Sequence, residues 1–473
     1  MNLHTELLLH DYMWHHLLRI HSLSLQLSLK RKPLRKTFQF RLNTMLTSSE
    51  LPTLLVLLVF VLGTQPLTAE DFEAPKAANA PFRHLTDQTL QELPVAQRPV
   101  WLQYIADSRS AAQAEYTQLQ AELSAARLKS PRQPPSNSRE FEVSGQHDDA
   151  WHASDEALQL ADTVISFQTP TGGWSKAVDY SKGPRTTGMH WTTQSGSGWH
   201  YCGTLDNRST TEQIRFLARV HQQTQRTDCR DAAARGIHWL LKAQYPSGGW
   251  PQNYPVEPGY HEAITLNDNA MLHAMELMLH VSRGDAPFGF CSETQRQAAT
   301  TAFANALTCL QQAHINTKDG PAAWCAQHHP VTLQPVAART KEPPSISGAE
   351  SAEMLKFLMR DGPLDPATTR LIQQSLQWFD THRITGLKKT KNSAGKTDYL
   401  PDPDSQEIYW ARFYDLETCR PIFAGSQDAK IYDSFTEMAR HNKVGYDYFT
   451  TRPKELLEKE LPRWEKRRGA GKQ

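Results

Sequence analysis

Two short stretches concentrate oxygen donors where helices are about to start. Asp206-Asn207 leads into Thr210-Thr211-Glu212, and Ile264-Thr265-Leu266 leads into Asn267-Asp268-Asn269. An Asp or Asn in front of a helix accepts hydrogen bonds from its unpaired N–H groups. One such residue satisfies a cap, and both stretches carry more. Hard cations such as calcium take about six to eight oxygens, several of them from carboxylates. Capping and metal or catalytic work both stay open on spacing alone.

Two further stretches carry cations. Ala337-Ala-Arg339-Thr-Lys-Glu342-Pro-Pro runs on to Ser347 and Glu350, a rigid loop displaying charge that opens into a helix. Its plainer reading is a surface loop closed by a capping box between Ser347 and Glu350. Tyr409-Trp410-Ala-Arg412-Phe-Tyr414 continues to Arg420-Pro421. Guanidinium groups grip carboxylates, and rings interleaved with them stack on sugar faces, so this pattern suits an acidic sugar. Strands or turns with arginines reaching to solvent explain it equally well.

The elements that hold these stretches follow from a repeat. Gln168-Thr-Pro-Thr-Gly-Gly-Trp174 and Gln244-Tyr-Pro-Ser-Gly-Gly-Trp250 are one heptapeptide pattern written twice, about 76 residues apart, and Trp324 falls about 74 residues further on. Each copy follows a helix-like run, 157–167 and 232–243. Helical spacing of apolar residues recurs over 210–223, 228–243, 268–282, 293–313, 348–359 and 368–382, with few windows of strand-like alternation. Two helices per repeat over about three repeats predict an all-α fold, an (α/α)3 toroid of helical hairpins. On this frame Trp174 and Trp250 are chiefly structural, with Trp250 and Tyr254 offered as groove-lining rings for a substrate.

A formal charge of +1 leaves no basic excess, which argues against a nucleic-acid partner. Six cysteines with no CxxC give neither a disulfide scaffold nor a zinc motif. The apolar run from Leu54 to Leu62 is too short to span a bilayer and is followed by small residues up to Ala69, with Lys30 to Lys36 upstream. Basic stretch, apolar core and small-residue site, in that order, describe a signal peptide over 1–69, with a long leader or a true start at Met45. The expected localisation is secreted or periplasmic, with no membrane partner after the signal is removed and a monomer as the expected state. The expected organisation is a helical extension and Pro-rich linker over 70–139, the toroid over 140–453, and a charged, frayed tail over 454–473.

Taken together, Leu205-Asp-Asn, the run from Thr211 to Val220, Ala243-Gln-Tyr-Pro-Ser-Gly-Gly-Trp-Pro-Gln252, Ile264-Thr-Leu-Asn-Asp268 and the run from Trp410 to Phe423 resemble the polysaccharide lyase family 10 pectate lyases. The resemblance spans roughly residues 150–450, with five motifs in order. It implies calcium-dependent β-elimination of polygalacturonate, giving 4,5-unsaturated oligogalacturonides. It further implies that Asp206 and Asp268 face the calcium ion, that Arg339 is the catalytic base, and that Arg412, Arg420 and Asn207 contact substrate. An arginine base sits uneasily with a guanidinium that holds its proton to about pH 12 or beyond, and it predicts a rate that climbs into alkaline pH. Two departures stand out: Cys419 occupies a place where the family pattern has Gly, and the third repeat lacks the Gln and the double Gly.

The competing readings are a glycoside hydrolase using Asp206 and Asp268 as acid and base, which leaves the arginines without a role, and a non-catalytic binder of acidic polysaccharide. An isoprenoid cyclase would need an Asp-rich diphosphate site that His147-Asp-Asp-Ala does not supply.

Overall fold

The computed structural model describes residues 84–137, 141, 143, 146–193, 203–393, 395–444 and 446–470. The expected signal peptide, and the part of the extension before residue 84, lie outside the described residues.

Helical hairpins form the body, as the periodicity predicts. After α1 (Asp87–Gln91), α2 (Arg98–Ala125) and α3 (Asp155–Ser166) come three pairs: α4 (Thr211–Thr224) with α5 (Thr227–Ala243), α6 (Ala270–Arg283) with α7 (Glu293–Ala313), and α8 (Glu350–Asp361) with α9 (Pro366–Thr381). Local signals start them. Ser154 caps α3, Ser292 and Gln295 form a capping box on α7, and Asp365 accepts from Ala367 and Thr368 ahead of Pro366 at the start of α9. Helices α4, α6 and α8 line the inside, and α6 is buried along almost its whole length. Glu276 of α6 ties them together, meeting Arg360 of α8 at 2.8 Å and Arg215 of α4 at 3.9 Å.

The heptapeptide is the joint between one outer helix and the next. Trp174 donates its indole N–H to Val164 O and Trp250 donates to Leu240 O, both at 2.8 Å, closing the end of the helix just finished. Gln168 donates to Gly172 O and to Ala232 O on α5; Gln244 does the same to Gly248 O and Ala302 O on α7. Gly248 has φ +93°, and a Cβ there would lie 2.2 Å from Asn305 O, so only glycine lets the turn approach α7.

The third repeat keeps the joint with different chemistry. Trp324 donates to Leu310 O at 2.8 Å, and His314 replaces the glutamine, its Nε2 meeting Ser375 Oγ at 2.8 Å and Ala322 O at 3.2 Å. A small hairpin of β2 (Asn316–Thr317) and β3 (Gly320–Pro321) replaces the glycine turn, after β1 (Ile264–Thr265), which pairs with β4 (Gln327–His328). A fourth tryptophan, invisible to the period, completes the series: Trp410 donates to Phe379 O of α9 at 2.7 Å.

Trp410 opens a region of short antiparallel pairs: β5 (Ile346–Ser347) with β9 (Phe413–Tyr414), β6 (Leu387–Lys391) with β7 (Thr397–Pro401), β8 (Trp410–Ala411) with β12 (Phe449–Thr450), and β10 (Phe423–Ala424) with β11 (Ile431–Tyr432). With α10 (Phe435–His441) they enclose their own aromatic core of Tyr399, Phe413, Phe423, Phe435, Tyr448 and Phe449.

Two expectations need correction. Helix α2, expected as part of an extension ahead of the toroid, buries a single stripe of Trp101, Ile105, Ser108, Glu115, Leu119 and Leu123, and Tyr104 donates to Ala243 O at 2.8 Å. Long polar side chains hid a stripe narrow enough to seat one helix on the body. Over its described residues, up to 470, the charged tail is not frayed: α11 (Arg452–Glu455) leads through a π turn into α12 (Leu461–Ala470), with Leu456 and Trp464 buried. Arg467 donates to Met359 O and Arg360 O at the end of α8, both at 2.7 Å, so its charge serves as a C-terminal cap.

Candidate active site

All three inner helices begin on one face, and each brings a carboxylate. Asp206 precedes α4, Asp268 precedes α6, and Glu350 is the first residue of α8. The first two turns share an unusual backbone. Asn207 and Asp268 have φ of 51° and 52°, and Arg208 and Asn269 follow at 58° and 60°. Four non-glycine residues in left-handed conformations, strained by about 1–3 kcal/mol each, are what a functional turn looks like. Thr204 secures the first turn, accepting from Asp206 N at 3.1 Å.

The acids differ in their partners. Asp206 is buried and ion-paired with Lys176; Glu350 is buried and meets Arg412 Nη2 at 2.5 Å. Asp268 is open to solvent, accepts from Asn267 Nδ2 at 2.7 Å, and has no ion pair among the described residues. Surrounding protein desolvates it, and the charges of Asp206 and Glu350 add to that, so its carboxyl pKa rises above the usual range although Arg412 and Arg339 pull the other way.

Opposite the acids, three cations gather on one ring. Lys341 Nζ lies 4.0 Å from the centroid of Tyr446, and the guanidinium carbons of Arg412 and Arg339 lie at 4.3 and 5.8 Å. Glu342 anchors the group. It accepts from Arg339 N at 2.9 Å, from Nε at 2.8 Å and from Nη2 at 2.5 Å, and the Tyr446 hydroxyl donates to it. These bonds push the Arg339 pKa above its ordinary value despite burial. Burial also opposes the Arg412 charge, but Glu350, Tyr446 and Asp268 outweigh it and raise that pKa as well. For Lys341, desolvation and then the nearby Arg339 lower the pKa.

The structure therefore brings together Asp206, Asp268, Arg339 and Arg412 from four separate stretches. Asn207 is half-buried beside them and lines a small recess with Ser175, Ser209 and Gln213. Arg420 goes elsewhere. It is exposed at the rim of a cavity of about 590 Å³ in the aromatic β region, with Asp433, Phe435 and Phe449. Trp250 and Tyr254 are not groove-lining rings. Trp250 is fully buried with its indole committed to Leu240 O, and Tyr254, 5% exposed, packs against Trp239 and Tyr104.

Lys176 and Tyr446 are members of the site that no motif singled out, and Glu342 and Glu350, expected only as parts of a charged loop and a capping box, belong to it as well. The expected capping box between Ser347 and Glu350 does not form: Glu350 N donates to Ser347 Oγ at 3.2 Å, but Ser347 N donates to Trp324 O and Ala349 stands at the cap of α8, while the Ser347 hydroxyl donates to the Glu350 carboxylate. Lys176 had a signal: it follows the first repeat tryptophan by two residues, as Arg412 follows the fourth.

The chain is similar to two solved structures of the family 10 polysaccharide lyase from Cellvibrio cellulosa. One is a mutant with an aspartate changed to alanine, in complex with trigalacturonic acid; it is 27% identical, covers 66% of this chain and 95% of its own, and superposes with a TM-score of 0.57. The other is described as the family 10 polysaccharide lyase itself, at the same identity and TM-score, covering 69% and 99%. No curated protein matches the sequence. A family model described as pectic acid lyase matches residues 168–457, from the first repeat joint to the π turn after α11. The matched span holds every acid and cation of the site, and the chain belongs to the pectic acid lyase family and is a polysaccharide lyase.

Proposed function

We propose that this lyase is a pectate lyase, cleaving (1→4)-α-D-galacturonan by calcium-dependent β-elimination at the face where Asp206, Asp268, Arg339 and Arg412 meet. The observation that carries the reading is the unpaired, solvent-open Asp268, flanked by two carboxylates on one side and by Arg339 and Arg412 on the other. A hydrolase pairing Asp206 with Asp268 leaves that cation group without work. The trigalacturonic acid bound to the related Cellvibrio enzyme supports galacturonate as the substrate.

The donor chemistry fits calcium. Asp206 and Asp268 offer hard oxygens, and the uronate and water would supply the rest. Among the described residues no three His, Cys, Asp or Glu side chains form a ready cage. Bound there, calcium would neutralise the C6 carboxylate and stabilise the charge that develops when C5 loses its proton. Arg412, held by Glu350 and by Asn267 Oδ1 at 3.2 Å, is fixed to grip a substrate carboxylate. Arg339 takes the C5 proton, the C5 electron pair forms the C4–C5 double bond, and the C4–O4 bond breaks, its oxygen leaving with a proton from solvent. Glu342 positions Arg339 and favours its charged form, so the reactive neutral fraction grows with pH.

Export belongs to the same reading: a polysaccharide is met outside the cytoplasm, whether the enzyme is secreted or periplasmic. Arg339→Ala and Arg339→Lys test the assignment. Both should lose turnover by about a thousandfold or more while still binding trigalacturonic acid. Retained turnover in Arg339→Ala would remove Arg339 from the chemistry.

A further inference from the structure

The first and fourth tryptophan joints carry a relationship that the middle two lack. Trp174 and Trp410 do the same work, each indole closing an outer helix. Two residues beyond them stand Lys176 and Arg412, whereas Trp250 and Trp324 are followed at that place by Gln252 and Ala326. Each of the two cations reaches an acid at the start of an inner helix: Lys176 pairs with Asp206 before α4, and Arg412 pairs with Glu350 on α8. The two ion pairs flank Asp268, the acid that has none. The repeat thus builds one matched pair of cations aimed at the site from opposite joints.

The two cations are held differently. Arg412 is clamped by Glu350, Asn267 and the Tyr446 ring, with a planar head that matches a carboxylate in two places. Lys176 has a compact charge on a flexible stem; its side chain is 23% exposed, and its backbone is fixed by Thr193 donating to Lys176 O at 3.1 Å. An ammonium on Asp206 and a divalent cation at the same carboxylate repel each other. The lysine head and the divalent cation compete for that carboxylate, and a substrate carboxylate bound beside the cation is an anion that the displaced head can meet.

We propose that Lys176 is a specificity residue for the unesterified uronate, released from Asp206 when the divalent cation arrives and transferred to a substrate carboxylate. This rests on the reading of Asp206 as a cation ligand. A methyl ester offers no charge to Lys176, so the exchange makes the enzyme discriminate against esterified pectin.

Lys176→Met, which keeps the stem and removes the charge, gives the test. Calcium chloride titrated into the protein without substrate should bind several-fold more tightly than to wild type, because the competing ammonium is gone. At saturating calcium, KM for polygalacturonate should rise about tenfold, the size of one charge-assisted hydrogen bond, with kcat changed by less than about threefold. The preference for unesterified over highly esterified pectin should shrink, and Lys176→Arg should restore most of it. Lys176→Gln is the second variant, expected to shift both readings the same way if Lys176→Met folds poorly. Weaker calcium binding in the uncharged variants, or an unmoved KM, overturns the inference. A wild type that binds no calcium and forms no unsaturated product overturns the calcium-lyase reading as well. A wild type that does both, beside an unmoved variant, overturns this inference alone.

Discussion

Arg412 Nη2 meets Glu350 Oε1 at 2.5 Å, joining the residue between β8 and β9 to the first residue of the third inner helix. Glu350 is buried and Arg412 largely so, at 3% and 13% exposure, so the contact holds a charge pair in place at the cost of two desolvated ions. Glu350→Ala should therefore destabilise the fold by about 3–5 kcal/mol in urea melts, because Arg412 is left buried and unpaired. The double change Glu350→Ala with Arg412→Met should recover much of that loss. Additive losses in the double variant would show that the pair is not coupled.

The joint glycines make a steric prediction. Gly248→Ala places a Cβ 2.2 Å from Asn305 O at φ +93°, and should cost about 2–4 kcal/mol of stability. Gly320→Ala has φ +113° with nothing within 4 Å, so it carries conformational strain without the clash and should cost less. Equal melting temperatures for the two variants would contradict the close approach to α7.

Acid stability should depend on Glu276. Burial works to raise its pKa, but His273, Arg215 and Arg360 outweigh it and bring it down to about 2 from 4.5. A depressed carboxyl contributes stability that is full above its unfolded value and is lost as pH falls through the folded one. The window is therefore pH 4.5 down to about 2, and the contribution is roughly 3 kcal/mol. Glu276→Gln should lower stability at neutral pH and flatten the stability curve across that window. A variant as pH-sensitive as wild type would assign the acid transition to other groups.

How far the residues alone revealed this molecule depends on what each reports. Helices were legible because apolar spacing is local, and the joint was legible where Gln and Gly-Gly recur. It was illegible at His314, which reaches the same kind of partner through an imidazole, and at Trp410, where about 86 residues separate it from Trp324 and break the period. The acids Asp206 and Asp268 announced themselves as surplus caps. Glu350 hid behind a spacing from Ser347 that looks like a capping box, and Lys176 and Tyr446 show their roles only once distant elements fold together. Trp250 was misread because an aromatic beside a loop suits a groove as well as a core, and only burial decides.

The pH–rate profile should climb from neutral into alkaline pH, since Glu342 keeps Arg339 charged. Glu342→Gln removes that support, so the rising limb should move to lower pH while kcat falls about 10- to 100-fold from lost positioning. A profile that peaks near neutrality, or a limb unmoved in Glu342→Gln, would count against Arg339 as the base.

The most direct measurement follows ultraviolet absorbance of the unsaturated product as the protein acts on polygalacturonate, with calcium and then with chelator. The account predicts absorbance that grows with calcium, stops with chelator, resumes when calcium is restored, and is weaker on highly esterified pectin. Folded protein that releases saturated reducing ends without absorbance, or that cleaves equally well in chelator, would contradict it.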